Sequence, residues 1–247
     1  MKQLFKHTLR LQFKNIAFLF FCIGTPIIWV VLNGLIIKGI DGIGAETKSA
    51  AFSSLFPVGL LFYSYSAGFI GASMDLANAR INRQLKQLSL AKISPLMYTL
   101  NLFLVLGFAY LIALIPVMLI AIFWFSLHLN WMLLLSCFVF PFLSLFFSVL
   151  LAVIIANIFN NIKTVTFVVM ILFYIILFTS NGFLVGQDEN SRVMKYIKLL
   201  TPAGCISLIS SSLYNNIEFS QVWYAYLVLI IHASWISYAA IKLFKWT

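Results

Sequence analysis

The chain has 247 residues, a net charge of +10 and a composition that is 63% hydrophobic but only 9% charged. Soluble domains usually have about 25% charged residues, so this composition excludes an ordinary soluble protein and indicates an integral membrane protein. Although the pI is about 9.6, the basic residues lie in short segments beside apolar runs, where topology and anionic lipid account for them. We therefore expect membrane lipids as partners, and no nucleic acid.

Six apolar runs are long enough to cross a hydrocarbon core, which takes about 20 helical residues. They are Ile16–Ile37, Phe52–Ser73, Met97–Leu127, Trp131–Ile158, Thr164 to about Val185, and Val222–Phe244. A membrane β-strand alternates in polarity, whereas residues 104–120 show no alternation. The sequence predicts an all-α integral membrane protein with six transmembrane helices in a single transmembrane domain, residues 1–247.

The basic residues predict the orientation of these spans. With six spans, both termini lie on one side, and the segments on that side carry eleven basic residues and one acid, Asp75. The opposite side carries five basic and five acidic residues. The positive-inside rule then makes the basic side cytoplasmic, so we expect both termini in the cytoplasm.

Two segments outside the spans have patterns of their own. Residues 1–15 place apolar side chains among basic ones at helical spacing, which favours a helix in the membrane interface and leaves open a merely topogenic basic tail. Residues 182–216 are too apolar for a free loop and too interrupted for a span. Two short re-entrant helices in the outer leaflet would satisfy their backbone groups.

The chain has no visible catalytic or metal-binding constellation. It contains no zinc-type His pair, no nucleophile elbow and no phosphate-binding loop, so it cannot hydrolyse a nucleotide by the common route. Its three cysteines have no disulfide or zinc spacing. His232, inside the sixth run, is expected to be a neutral hydrogen-bonded residue rather than a proton relay. We expect a non-enzyme, and an intramembrane enzyme is the least favoured class.

The cytoplasmic segment 75–94 interrupts the apolar sequence with charge. On a helix, Ile81, Leu85 and Leu88 form an apolar stripe, which Ser94 and Pro95 end. A short amphipathic helix of this kind can insert into a groove on a partner protein. Binding to the lipid interface is the alternative.

Residues 79–95, Ala-Arg-Ile-Asn-Arg-Gln-Leu-Lys-Gln-Leu-Ser-Leu-Ala-Lys-Ile-Ser-Pro, resemble the first cytoplasmic loop of the type-2 ATP-binding-cassette (ABC) permeases. They depart from the family's Glu-Arg-Glu-x-Gly-Thr-Leu form near Asn82 and Gln84. Residues 178–185 are similar to the family motif that ends the fifth span, with Asn181 inserted and the final Pro missing. Residues 199–202, Leu-Leu-Thr-Pro, resemble the start of the second outer re-entrant helix.

This resemblance implies a multi-pass protein of the bacterial plasma membrane that works as the permease of an exporter. Two permease subunits, identical or different, would form the path, and two separate ATPase subunits would bind ATP and magnesium, so that this chain needs no cofactor. A coupling helix over residues 80–92 would sit in the ATPase, helped by the N-terminal helix and the turn Asn157–Lys163. The residues assigned to ATPase coupling are Arg80, Ile81, Arg83, Leu85, Lys86 and Leu88.

The cargo is expected to be amphipathic or hydrophobic, such as a peptide, a drug or a lipid-linked molecule. Its path would be lined by small and aromatic side chains of the second and fifth spans, namely Tyr63, Ser64, Tyr65, Ser66, Phe173, Tyr174 and Asn181. Such side chains are also ordinary helix-packing residues. Two other functions stay open at this point: an ATP-independent transporter or channel, and a membrane immunity or assembly factor that binds a peptide without moving it.

Overall fold

The computed structural model describes residues 2–14, 19–20, 24–40, 42, 44–127, 129–159, 161–179, 192–214 and 219–245. The prediction of an all-α protein is confirmed, since the structure is about 90% helical with no strand among these residues. The helices are α1 Lys2–Lys14, α2 Thr25–Lys38, α3 Ala45–Ser66, α4 Ala72–Ile81, α5 Gln84–Leu90, α6 Pro95–Phe125, α7 Trp131–Ile158, α8 Ile162–Thr179, α9 Arg192–Leu199, α10 Pro202–Tyr214 and α11 Trp223–Lys242.

Four helical stretches of the described chain are long and apolar enough to cross a membrane: Glu46–Ile81, Pro95–Phe125, Trp131–Ile158 and Trp223–Lys242. The described parts of the predicted first and fifth spans, Thr25–Lys38 and Ile162–Phe178, are shorter apolar helices. The remainder of those two runs, residues 16–18, 21–23 and 180–185, lies outside the described residues. The described residues thus contain four helical stretches that are long and apolar enough to span a membrane, and six spans remain a prediction.

Helix α7 lies at the centre of the bundle and packs against α3, α4, α6, α8, α10 and α11. Its apolar length forms much of the core, with Leu133, Leu145 and Val153 fully buried. The Tyr110 hydroxyl of α6 donates a hydrogen bond to the Cys137 carbonyl, 2.7 Å away. Large apolar side chains from helices far apart in sequence therefore meet on α7, as in other helix bundles.

The second long helix runs further than its apolar composition predicts. A π-helical turn, Ala67–Gly71, joins α3 directly to α4, so Asp75 and Arg80 continue the spanning helix. Gly68 packs so closely on α7 that an added Cβ would lie 1.9 Å from the Ser148 Oγ. The charged segment 75–94 therefore begins inside a long helix, and only its second half forms a separate one.

Helices α9 and α10 occupy the predicted outer segment. Helix α10 packs against α3, α7 and α11, and Cys205, Ile206 and Ser207 are buried. A Cβ at Gly204 would lie 2.1 Å from the Lys198 carbonyl oxygen, so only glycine allows this turn between the two helices. Residues 182–191 and 215–216 of the segment lie outside the described part of the chain.

Candidate functional site

The segment predicted to dock on a partner consists of two helices rather than one. Helix α4 ends at Ile81, and α5 begins only after Arg83, whose φ of 58° is left-handed. After α5, Lys92 has the same left-handed φ, and the Ser94 hydroxyl then caps α6 by accepting from the Met97 N–H at 3.2 Å. The prediction of a single amphipathic helix over residues 80–92 is therefore wrong, because the helix is interrupted at Asn82 and Arg83.

This interruption of the helix separates the residues of the predicted apolar stripe. Ile81, at the end of α4, is 55% exposed, whereas Leu85 is 0% exposed and Leu88 packs partly buried against the core. Leu85 and Leu88 thus face the chain's own bundle, and Leu85 has no surface left for insertion into a partner. They hold α5 in place.

The opposite side of α5 is open and cationic. Arg83, Lys86 and Gln87 are exposed, and Leu90 is 79% exposed. These side chains do not pack within the chain, so this side of α5 is open to contact with a partner protein or with lipid. We call Arg83, Lys86 and Leu90 the outer side of α5, since Gln87 lies beside residues of α1 and α4.

Arg80 was predicted to contact the ATPase, but its side chain binds within the chain. Its guanidinium donates to the Ala156 carbonyl at 2.6 Å and to the Asn157 Oδ1 at 2.5 Å. The same Asn157 oxygen accepts from the Lys245 backbone N–H at 2.7 Å. A cation at the C-terminal end of α7 also meets the negative end of the helix dipole. Arg80 is therefore a brace that joins α4, α7 and the C-terminal residues.

The N-terminal helix α1 packs on the same end of the bundle. Gln12 donates from Nε2 to the Asp75 carboxylate of α4, and Asn101 of α6 donates to the Thr8 Oγ1 at 3.1 Å. The Phe5 ring meets Phe108 edge to face, with centroids 6.3 Å apart. The structure thus gathers α1, α4, α5 and the end of α7 at one end of the molecule, which we call the basic end.

The predicted path residues are not brought together within one protomer. Tyr63 is stacked on Tyr110 at 5.8 Å between centroids. Ser64 and Tyr65 are both 0% exposed. The Ser64 hydroxyl donates to the Leu61 carbonyl at 2.8 Å. These side chains lie in the helix-packed core of this chain.

The other predicted path residues are Ser66, on the same helix, and three residues of the fifth run. Ser66 is partly buried and donates to the Tyr63 carbonyl at 2.8 Å. On α8, Phe173 is partly buried against the core, and Tyr174 is 54% exposed. Helix α8 packs on α4, the π-helical turn and α7. Asn181 lies outside the described residues.

His232 has two hydrogen-bond partners. Its Nδ1 accepts from the Trp235 indole at 3.1 Å, and its Nε2 lies 3.1 Å from the Leu199 carbonyl. A neutral imidazole with its proton on Nε2 satisfies both. The residue therefore ties α11 to α9.

Sequence reasoning missed two features of this site. The π-helical turn has no simple sequence signal beyond its two glycines, and the pairing of Arg80 with Asn157 joins residues far apart in the chain. In the described residues, no group of three His, Cys, Asp or Glu side chains is placed to hold a metal ion. No protein-family model matches the chain, and no curated protein is significantly similar to it.

Proposed function

We propose that this protein is the membrane-spanning subunit of a bacterial ABC exporter, a type-2 permease driven by a separate ATPase. The observation that carries the proposal is α5, a short helix seated in the bundle by Leu85 that presents Lys86 and Leu90 outward. Such a helix suits docking in a groove of a partner protein. The eleven basic residues expected on that side, and the resemblance of residues 79–95 to a coupling loop, support the same reading.

In this proposal the outer side of α5 touches the ATPase, and the buried side passes the movement on. ATP-driven closure presses on α5, and Leu85 transmits the displacement into the bundle. Arg80 carries it from α4 to the end of α7 through its bonds to Ala156 and Asn157. The π-helical turn gives the long helix a place to bend, because such turns interrupt the regular hydrogen-bond ladder.

The finer topology belongs to the same proposal. Six spans place both termini in the cytoplasm, and α9 and α10 are the re-entrant helices of the outer side. A second permease subunit completes the path, while ATP and magnesium bind to the ATPase. The exposed aromatic side chains of α8, Tyr174 and Phe178, both 54% exposed, suit contact with an amphipathic or hydrophobic cargo between subunits. This chain then performs no catalysis of its own.

Co-purification of the chain with an ATPase tests the proposal. The first candidate is any phosphate-loop ATPase that the adjacent reading frame encodes. The double variant Lys86→Glu, Leu90→Asp is expected to weaken ATPase binding about tenfold or more, since it reverses a charge and removes an apolar anchor. Both residues are exposed, so the unfolding midpoint should stay unchanged. The control is Lys38→Glu, an exposed lysine at the end of α2.

Transport assays in vesicles set the condition for rejection. Export should stop when ATP is depleted and continue when the ion gradient is collapsed. Transport that survives ATP depletion and requires the gradient would contradict the proposal and indicate an ATP-independent transporter. Peptide binding with no transport in either condition would contradict it in favour of a binding-only factor.

A further inference from the structure

Helices α1, α4, α5 and α6 line an open cavity of about 340 Å³ at the basic end. Its walls include Gln12 from α1, Asp75 and Asn78 from α4, Gln87 from α5 and Tyr98 from α6. A liquid water takes about 30 Å³, so this volume exceeds a single water site several-fold and can hold a small organic group.

The charge of this cavity is opposite to that of its surroundings. The segments expected on this side carry eleven basic residues and one acid, and that one acid, Asp75, lines the cavity. Among the described lining residues none is Lys or Arg, and His7 is the one imidazole. The cavity therefore presents a single carboxylate in a neutral polar wall, which favours a cation.

Gln12, which lines the cavity, has a buried acceptor without a partner. The side chain is 5% exposed and uses its Nε2 to bind Asp75, while its Oε1 has no hydrogen-bond partner. Buried polar atoms are nearly always paired, so the Gln12 oxygen favours a hydrogen-bond donor close to Asp75.

We propose that this cavity binds a primary ammonium group, supplied by a phosphatidylethanolamine headgroup or by a small free amine. An ammonium has three N–H donors and no acceptor, so it can bind the Asp75 carboxylate and the Gln12 Oε1 together. The cavity wall also includes Leu11, Leu88 and Leu102, which suit the methylene groups attached to the amine. A quaternary ammonium has the same charge but no N–H, and it cannot make these bonds.

An occupant of the cavity touches helices from three parts of the basic end. Gln12 lies on α1, Asp75 on α4 and Gln87 on α5. The ligand therefore stabilises the packing of α5 against α1 and α4. Binding of an amine at this cavity does not require an ATPase, so it can be tested independently of the proposed function.

The test is ligand-induced stabilisation of the purified, delipidated full chain. Ethanolamine should raise the unfolding midpoint saturably, and choline should not. Asp75→Asn, which keeps the shape and removes the charge, should weaken the ethanolamine response about tenfold or more. Glu46→Gln is the matched control, because it removes an acid on α3 and should leave the response unchanged. Equal responses to ethanolamine and choline, or an unchanged response in Asp75→Asn, would overturn the proposal.

Gln12→Met provides a second test if Asp75→Asn does not fold. It keeps the length of the side chain and removes the Oε1 acceptor, so it should weaken the response to ethanolamine, and an unchanged response counts against the site. Bilayer discs then identify the source of the amine. Stabilisation by phosphatidylethanolamine but not phosphatidylcholine, with a weak response to free ethanolamine, assigns the headgroup. A strong response to free ethanolamine assigns a small amine, and no response to any of these probes rejects the site.

Discussion

The inward and outward sides of the 75–92 segment are built from similar residues but have different surroundings. Arg80 and Leu85 face the bundle, where Arg80 binds the end of α7 and Leu85 is fully buried. Arg83 and Leu90 have the same side-chain types and are exposed. One arginine and one leucine thus hold the segment in place, while the other pair is free to contact a partner. The residue type alone does not distinguish a side chain that packs within the bundle from one that is available to a partner.

The leucine pair should show the largest difference in stability. Leu85→Ala creates a cavity in a packed site and is expected to cost about 2–5 kcal/mol in the free energy of unfolding. Leu90→Ala, at a position that is 79% exposed, should change that free energy by less than about 0.5 kcal/mol. Thermal or denaturant unfolding of the purified chain measures both. Equal losses of unfolding free energy in the two variants would contradict the distinction between the inward and outward sides of the segment.

The arginine pair should show the second largest difference. Arg80→Met removes two charge-assisted hydrogen bonds to the end of α7 and is expected to cost about 1–3 kcal/mol. Arg83→Met is the matched control, since Arg83 is exposed, and it should be nearly neutral. Hydrogen exchange of the backbone amides near Asn157 should rise only in Arg80→Met. Faster amide exchange in Arg83→Met as well would contradict the claim that Arg80 specifically joins α4 to the end of α7.

A double-mutant cycle sharpens the same point. If Arg80 acts through Asn157, the losses of unfolding free energy in Asn157→Ala and Arg80→Met should not be additive. The coupling energy between the two side chains should be about 0.5–3 kcal/mol. Asn157 also accepts from the Lys245 N–H at 2.7 Å, so Asn157→Ala alone loses a further contact. Strict additivity would show that the two side chains act separately.

The smallest effect on stability is expected for Lys86→Glu. Lys86 is exposed, and exposed charges contribute about 0–1 kcal/mol. Its unfolding midpoint should match that of the unmodified chain, while its binding to an ATPase falls. A clear loss of stability would place Lys86 with the inward residues instead.

The sequence predicts the long helices well because their apolar runs are long. The fourth run, Trp131–Ile158, coincides with α7, and the third differs from α6 by two residues at each end. The distribution of basic residues likewise predicts that α1, the end of α4 and the end of α7 lie on the same side of the spans. These patterns follow from hydropathy and charge, which are local properties of the chain.

The details of the site could not be predicted in the same way. A helical stripe assumes one continuous helix, and a single left-handed residue, Arg83, breaks that assumption. Such a conformation is uncommon for residues other than glycine and has no signal at an arginine. The pairs Gln12 with Asp75 and Arg80 with Asn157 depend on tertiary packing. The sequence therefore identifies the segment but not which of its sides is free.

Photo-crosslinking from α5 tests the central claim most directly. A benzoylphenylalanine at Leu90, which is 79% exposed, is compared with one at Phe123 near the other end of α6, which is 81% exposed. The account predicts an adduct with the phosphate-loop ATPase from position 90 and none from position 123. An adduct of equal yield from both positions, or no ATPase adduct from position 90, would contradict the claim that the outer side of α5 docks on an ATPase.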